Sequence, residues 1–119
     1  PLVGPSSILL GLISSGMNGQ KFTFTGYLPI NIKERTKKLK YLEKKSIKYY
    51  ETQIFIETPY RNNQLLALMK KVLSPNTQLS VASCLDSKEE KIISLPIRDW
   101  KKEKINLDKK PTVFLIGIK

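Results

Sequence analysis

A chain of 119 residues with 40% apolar side chains is one domain's worth, and at this size folding buries roughly two-thirds of the surface that the unfolded chain exposes, so a packed core is expected and intrinsic disorder is not. The chain contains no His and a single Cys, which rules out Ser-His-Asp and Cys-His catalysis, the usual zinc sites and an internal disulfide within it. Its 21 Lys and Arg against 10 Asp and Glu leave a net charge of +11, a balance that favours an anionic partner such as RNA or DNA.

In chain order, "PLVGPSSILLGLISSGMNG" places Pro5 in a first helical turn, Ser6 and Ser7 where they can satisfy free amides, and Gly16 at a stop, which predicts a helix over residues 5–15. The run "SSILLGLISSGM" has the length of a signal-peptide core, but no basic stretch precedes it and Gly-Pro interrupts its start. It reads as a buried helix. "KFTFTGYLP" alternates apolar and polar residues and then leaves through Gly and Pro, the pattern of a strand running into a loop. Residues 33–48 hold eight Lys or Arg and two Glu, while Ile32, Leu39, Leu42 and Ser46 recur near helical spacing. That predicts an amphipathic helix with a basic outer face, and such a face serves solvation somewhat more often than binding.

"TQIFIE" is dense in β-branched and aromatic residues and stops at Thr58-Pro59, so it reads as a buried strand. In "YRNNQLLALMKKVLSPN", Leu65, Leu66, Met69, Val72 and Leu73 share one helical face, and Ser74-Pro75-Asn76 ends the helix. "TQLSVASCL" is a third strand, "DSKEE" a turn, and "KIISLPI" a fourth strand whose Pro96 assigns it to an edge or a bulge. A polar loop, "RDWKKEKINLDKK", leads to the closing strand "PTVFLIGI", whose unbroken apolar run places it centrally, covered on both faces. The order α-β-α-β-α-β-β-β predicts an α/β fold: a mixed, about five-stranded sheet flanked by helices, as one domain over residues 1–119.

In open α/β sheets ligands sit beyond the carboxyl ends of strands. Two strand ends qualify. At "IETPYR", Glu57 ends a strand with Arg61 within reach, and a plain Glu57–Arg61 ion pair or a Glu57 cap on backbone amides is the simplest reading. At "VASCLD", the small residues Ala82, Ser83 and Cys84 would let a flat ligand approach the backbone, or would merely pack against a helix. "GPSS" has the free amides of an anion site but neither the Lys nor the glycine spacing of a P-loop. Cys84 reads as a small buried hydrophobe, and Trp100 either stacks on a base or anchors a loop on the sheet.

Taken together, Val3-Gly4-Pro5-Ser6, Gly26-Tyr27-Leu28-Pro29, a "KER" helix start and Phe55-Ile56-Glu57-Thr58-Pro59-Tyr60-Arg61 resemble the C-terminal domain of the tetrapyrrole methylase family of S-adenosylmethionine-dependent methyltransferases, nearest its branch acting on small-subunit ribosomal RNA. The resemblance implies that the chain is the second lobe of a longer enzyme whose N-terminal lobe carries most of the S-adenosylmethionine contacts. It also implies that the lobe alone is inactive. Ser6 and Ser7 would line the cleft near the hinge, Glu57 and Pro59 would face the cofactor, and Ala82, Ser83 and Cys84 would border its adenosine. Lys33, Arg35, Lys37, Lys38 and Arg61 would meet RNA phosphates. No general base is assigned, and Glu57 is the one catalytic candidate; no metal is expected. The resemblance further implies ribose 2′-O-methylation and a homodimer; the single Cys makes the cytoplasm the default location, and the apolar runs are too short to span a bilayer, so no membrane partner is expected. Tyr60 stands where the branch usually has His, and Leu85-Asp86-Ser87-Lys88-Glu89-Glu90 stands in place of a Leu-Thr-Lys-x-x-Glu run. Two alternatives therefore stay open: a methyltransferase for a tetrapyrrole-like small molecule, and a non-catalytic RNA-binding or dimerisation domain.

Overall fold

The computed structural model describes residues 21–85 and 87–118; the helix expected over residues 5–15 lies outside them, as do Ser6 and Ser7. Strand β1 (Phe22–Tyr27) carries an irregularity between Phe24 and Gly26, where one extra residue enters the pairing and Gly26 takes a φ of 80° that a side chain would disfavour. Helix α1 (Ile32–Tyr49) follows, capped by Asn31, whose side chain accepts hydrogen bonds from the amides of Lys33 and Glu34 at 2.9 and 3.2 Å. Its first turn carries Glu34 and its last turn Lys48, each opposite in sign to the helix end it occupies.

The buried stripe of α1 is Arg35, Leu39, Leu42 and Ser46. Ile32, expected at its head, is 70% exposed. The first turn overhangs the edge of the sheet, and Arg35 takes the inward position because a carboxylate awaits it there.

Strand β2 (Thr52–Ile56) is buried along its length. A 3₁₀ turn at Pro59–Arg61 leads into α2 (Asn62–Val72), which buries Asn62, Leu65, Leu66 and Met69. Strands β3 (Gln78–Ser83) and β4 (Lys91–Pro96) form an antiparallel pair, and β5 (Thr112–Gly117) closes the chain. The five strands lie in the order β1-β2-β5-β3-β4, with β1 and β2 parallel and the remaining neighbours antiparallel. The closing strand is central, as its apolar run predicts, and the strand holding Pro96 is at an edge.

The "RDWKKEK" segment departs from the expected loop. Ile97–Trp100 form a short helix, α3, that starts directly at Pro96, because Ile97 and Trp100 are both fully buried and one helical turn is what aims both at the core. The main core lies on the face covered by the helices: Leu39 and Leu42 of α1, Leu65 and Met69 of α2, and Trp100 meet Phe55, Leu79, Phe114 and Ile116 of the sheet. The rings of Phe55 and Phe114 are stacked with centroids 6.0 Å apart. Ile54, Ile56, Val113 and Leu115 form a second apolar cluster; they alternate with the core-facing residues and so lie on the sheet's opposite face.

Edge strand β1 is tied down by Glu51, whose carboxylate accepts from the Thr23 hydroxyl and from the Gln53 side-chain amide at 2.9 Å, with Lys45 Nζ 3.6 Å away. The Thr23 bond first, then Gln53 and the Lys45 charge, hold the Glu51 carboxyl below its ordinary value of 4.5, against an opposing effect of burial. The folded form thus binds this proton more weakly than the unfolded chain. The stabilisation is full above about pH 4.5 and is lost as pH falls through the lower folded value. Thr23→Val is expected to flatten the fall of the melting temperature between about pH 5 and about pH 3, and an unchanged acid slope would disprove the assignment.

Candidate functional site

Strands β2 and β3 both pair antiparallel with β5 and therefore run parallel to each other on either side of it. Ile56 lies opposite Val113 and Ser83 opposite Thr112. The two strand ends singled out in the sequence thus open on the same edge of the sheet, about 10 Å apart at two strand spacings. Glu57 and Pro59 stand on one side of the start of β5, and Ala82, Ser83 and Cys84 on the other.

The chain turns sharply at this edge. Cys84 and Lys109 have positive φ values of 53° and 61°; the Cys84 amide donates to Pro111 O at 2.8 Å, and the Lys109 amide to Pro59 O at 3.3 Å. Ala82 and Ser83 are buried within the sheet, with Ser83 Oγ donating to Lys91 O at 3.4 Å. Cys84 is partly exposed, and not the buried hydrophobe expected, because the reversal turns it out of the strand. What the edge offers a flat ligand is therefore Cys84, Pro59 and nearby backbone. That suits one wall of a binding cleft.

The end of the polar loop expected over residues 98–110 is fastened to the start of α2. Asn62 Nδ2 donates to Lys110 O at 2.7 Å and Thr112 Oγ1 at 3.2 Å, while Asn63 Oδ1 accepts from the Leu107 amide at 2.8 Å. Trp100 is fully buried and its indole donates to Leu79 O at 2.8 Å. It anchors the sheet and cannot stack on a base.

Glu57 does not pair with Arg61. One carboxylate oxygen accepts from the Arg35 guanidinium; the other accepts from the Thr58 amide at 2.7 Å and the Thr58 hydroxyl at 3.3 Å. Both side chains of the pair are almost completely buried, at 5% and 2% exposure. Arg35 also donates through Nε to Pro29 O at 2.7 Å, clamping the loop ahead of α1 against the end of β2. Arg35 therefore leaves the set expected to meet phosphates, since its charge is spent on Glu57. The oxygens of Glu57 are occupied as well, and this suits a positioning role better than proton abstraction.

The cations that do face outward are Lys33 and Lys37, with Lys38 partly covered and its Nζ 5.3 Å from the centre of the Tyr41 ring. Arg61 lies 4.8 Å from the Tyr60 ring and donates through Nη1 to Thr58 Oγ1 at 3.3 Å. Because Arg35 binds Glu57, the amino end of α1 and these cations sit at the edge where β2 ends. An open cleft of about 470 Å³ lies alongside, between α1 and α2. Its α2 wall includes Gln64, Leu68 and Lys71, which no sequence signal singled out, since a cleft between two helices is set by how they pack. Among the described residues no group of acidic, Cys or His side chains could hold a metal ion, and no helix is long and apolar enough to cross a membrane.

No family model matches the chain. It is 33% identical over 119 residues to the ribosomal RNA small subunit methyltransferase I of Vibrio cholerae, a match covering 98% of this chain and 40% of that protein. It is 37% identical over 93 residues to the protein of the same name from Bacillus subtilis, covering 78% of this chain and 30% of that one. The chain spans about 40% or less of the length of these relatives. Among solved structures, the methyltransferase CobJ superposes with a TM-score of 0.62 at 14% identity over 92% of this chain and 46% of CobJ, which establishes a shared fold. Along 98% of its length the chain is thus similar to one part of the ribosomal RNA small subunit methyltransferase I proteins, and its mixed five-stranded sheet belongs to a fold shared with CobJ.

Proposed function

We propose that the chain is the C-terminal lobe of an S-adenosylmethionine-dependent methyltransferase that modifies a ribose 2′-oxygen in small-subunit ribosomal RNA, working in the cytoplasm as a homodimer. The observation that carries this reading is the meeting, at one edge of the sheet, of two parallel strand ends and the cation-bearing start of α1, joined by the buried Arg35–Glu57 pair. It supports reading this edge as a surface for a flat ligand beside a surface for phosphates.

S-adenosylmethionine supplies an activated methyl group, so transfer to an oxygen depends on alignment and electrostatics and needs no histidine. Pro59 and Cys84 form this lobe's wall of the cofactor cleft, with Ala82 and Ser83 keeping the edge low beneath them. Glu57 acts through Arg35 and Thr58, holding the wall in place. Lys33, Lys37, Lys38 and Arg61 hold the RNA backbone, the contacts that set register and orientation.

Salt dependence tests the reading. If these four cations each neutralise one phosphate of a single strand, at a slope of about −0.7 per phosphate, affinity for RNA falls about 50-fold between about 50 mM and about 200 mM salt. A flat response would favour the small-molecule substrate, for which a charge of +11 has no use. In the two-lobed enzyme, methyl label from the cofactor is expected in small-subunit ribosomal RNA; label confined to a small-molecule extract would overturn the RNA assignment.

A further inference from the structure

The cleft between α1 and α2 has an unusual lining. Its apolar part is Ile30, Ile32, Ala67 and Leu68, its cations include Arg61 and Lys71, and no lining residue is acidic. Ile30 and Ile32 are 65% and 70% exposed, a large apolar surface to leave beside water on so charged a molecule. Neither Arg61 nor Lys71 pairs with a carboxylate among the described residues. Arg61 lies over the Tyr60 ring, is partly exposed and lines the cleft, where its planar guanidinium can meet a second flat group.

We propose that this cleft is a nucleobase subsite: an unstacked base of single-stranded RNA rests on Ile30, Ile32 and Leu68 beside the Arg61 guanidinium, Gln64 meets its hydrogen-bonding edge, and Lys71 holds the adjoining phosphate. RNA is recognised by sequence mostly where its bases are splayed out and can lie on aromatic rings or guanidinium planes. The wholly cationic rim selects an anionic ligand. Its apolar floor selects one with a flat hydrophobic part, and a nucleotide has both. The proposal rests on the RNA reading above and deepens it by assigning a contact that phosphate-binding lysines cannot make.

The test compares a fluorescent single-stranded RNA of about ten nucleotides, within the span such surfaces cover, with an abasic oligonucleotide of equal length and charge. Ile30→Ser combined with Ile32→Ser removes only exposed apolar surface and no charge, so the fold is retained. It is expected to weaken the base-containing RNA about fivefold or more, the scale of one lost base contact, and to leave the abasic oligonucleotide unchanged. Arg61→Gln is expected to weaken both, more for the RNA. Lys33→Gln with Lys37→Gln and Lys38→Gln should weaken both equally.

If the serine variant weakens both probes alike, or neither, while the lysine variant weakens both, the base subsite is wrong and the RNA reading stands. If the lysine variant leaves RNA affinity unchanged, both fall. Tighter binding of an acidic, phenylalanine-containing peptide than of RNA, lost in the serine variant, would assign the cleft to a protein partner and overturn the proposal.

Discussion

Glu57→Ala is expected to destabilise the fold by about 3–5 kcal/mol, the range for removing one partner of a buried ion pair. The loss comes less from the missing attraction than from what remains. Arg35 stays buried, with its Nε still bonded to Pro29 O, and its guanidinium charge has no counterion. Arg35→Met combined with Glu57→Leu, which removes both charges and keeps volume in the site, should recover most of that loss, because a buried pair is often no more stabilising than the apolar side chains that could replace it. Lys45→Ala breaks a pair whose side chains are 30% and 17% exposed and should cost about 1 kcal/mol or less. Urea denaturation of the single and double variants checks the set. A Glu57→Ala cost close to that of Lys45→Ala would mean that Arg35 reaches water and that the edge is not built as described.

Trp100→Ala is expected to cost about 3–5 kcal/mol, as for large aromatic residues deleted from a core. Trp100 is fully buried among Leu79, Ile97 and Leu107 in the main cluster, and it joins α3 to β3 through the hydrogen bond to Leu79 O. Trp100→Phe retains most of the ring but removes the indole hydrogen bond to Leu79 O, a loss of about 0.5–1.5 kcal/mol. Equilibrium unfolding of the two variants separates packing from hydrogen bonding. Equal costs would place the whole contribution in the hydrogen bond, and a negligible cost for both would contradict the burial of the ring. In either variant RNA affinity of the remaining folded protein should be unchanged, since Trp100 touches no surface that RNA could reach.

Much of the architecture was legible along the chain because it is encoded between near neighbours. The spacing of Leu39, Leu42 and Ser46 marks the face that α1 buries. The unbroken apolar run of β5 requires cover on both faces, hence a central place, and Pro96 cannot extend a ladder, hence an edge. The strand ends at Glu57 and at residues 82–84 were also visible, since a strand ends where proline or small turn residues begin.

The partners of those ends were not. Glu57 has Arg61 four residues away, yet it binds Arg35, 22 residues back, because the parallel alignment of β1 and β2 brings the first turn of α1 over the end of β2 while the 3₁₀ turn carries Arg61 outward. The charge of Arg35 looked like one more cation of a basic helix; only the sheet order shows that it faces inward. Trp100 lies in a stretch rich in lysine, and its burial follows from the packing of Ile97–Trp100 on β3. The α1–α2 cleft, too, exists only once both helices lie on the same sheet. Composition and periodicity determine which segments become helices and strands and which of their faces must leave water. Tertiary structure decides which charge meets which and what is left exposed, because those contacts depend on strand order and register between segments far apart in the chain.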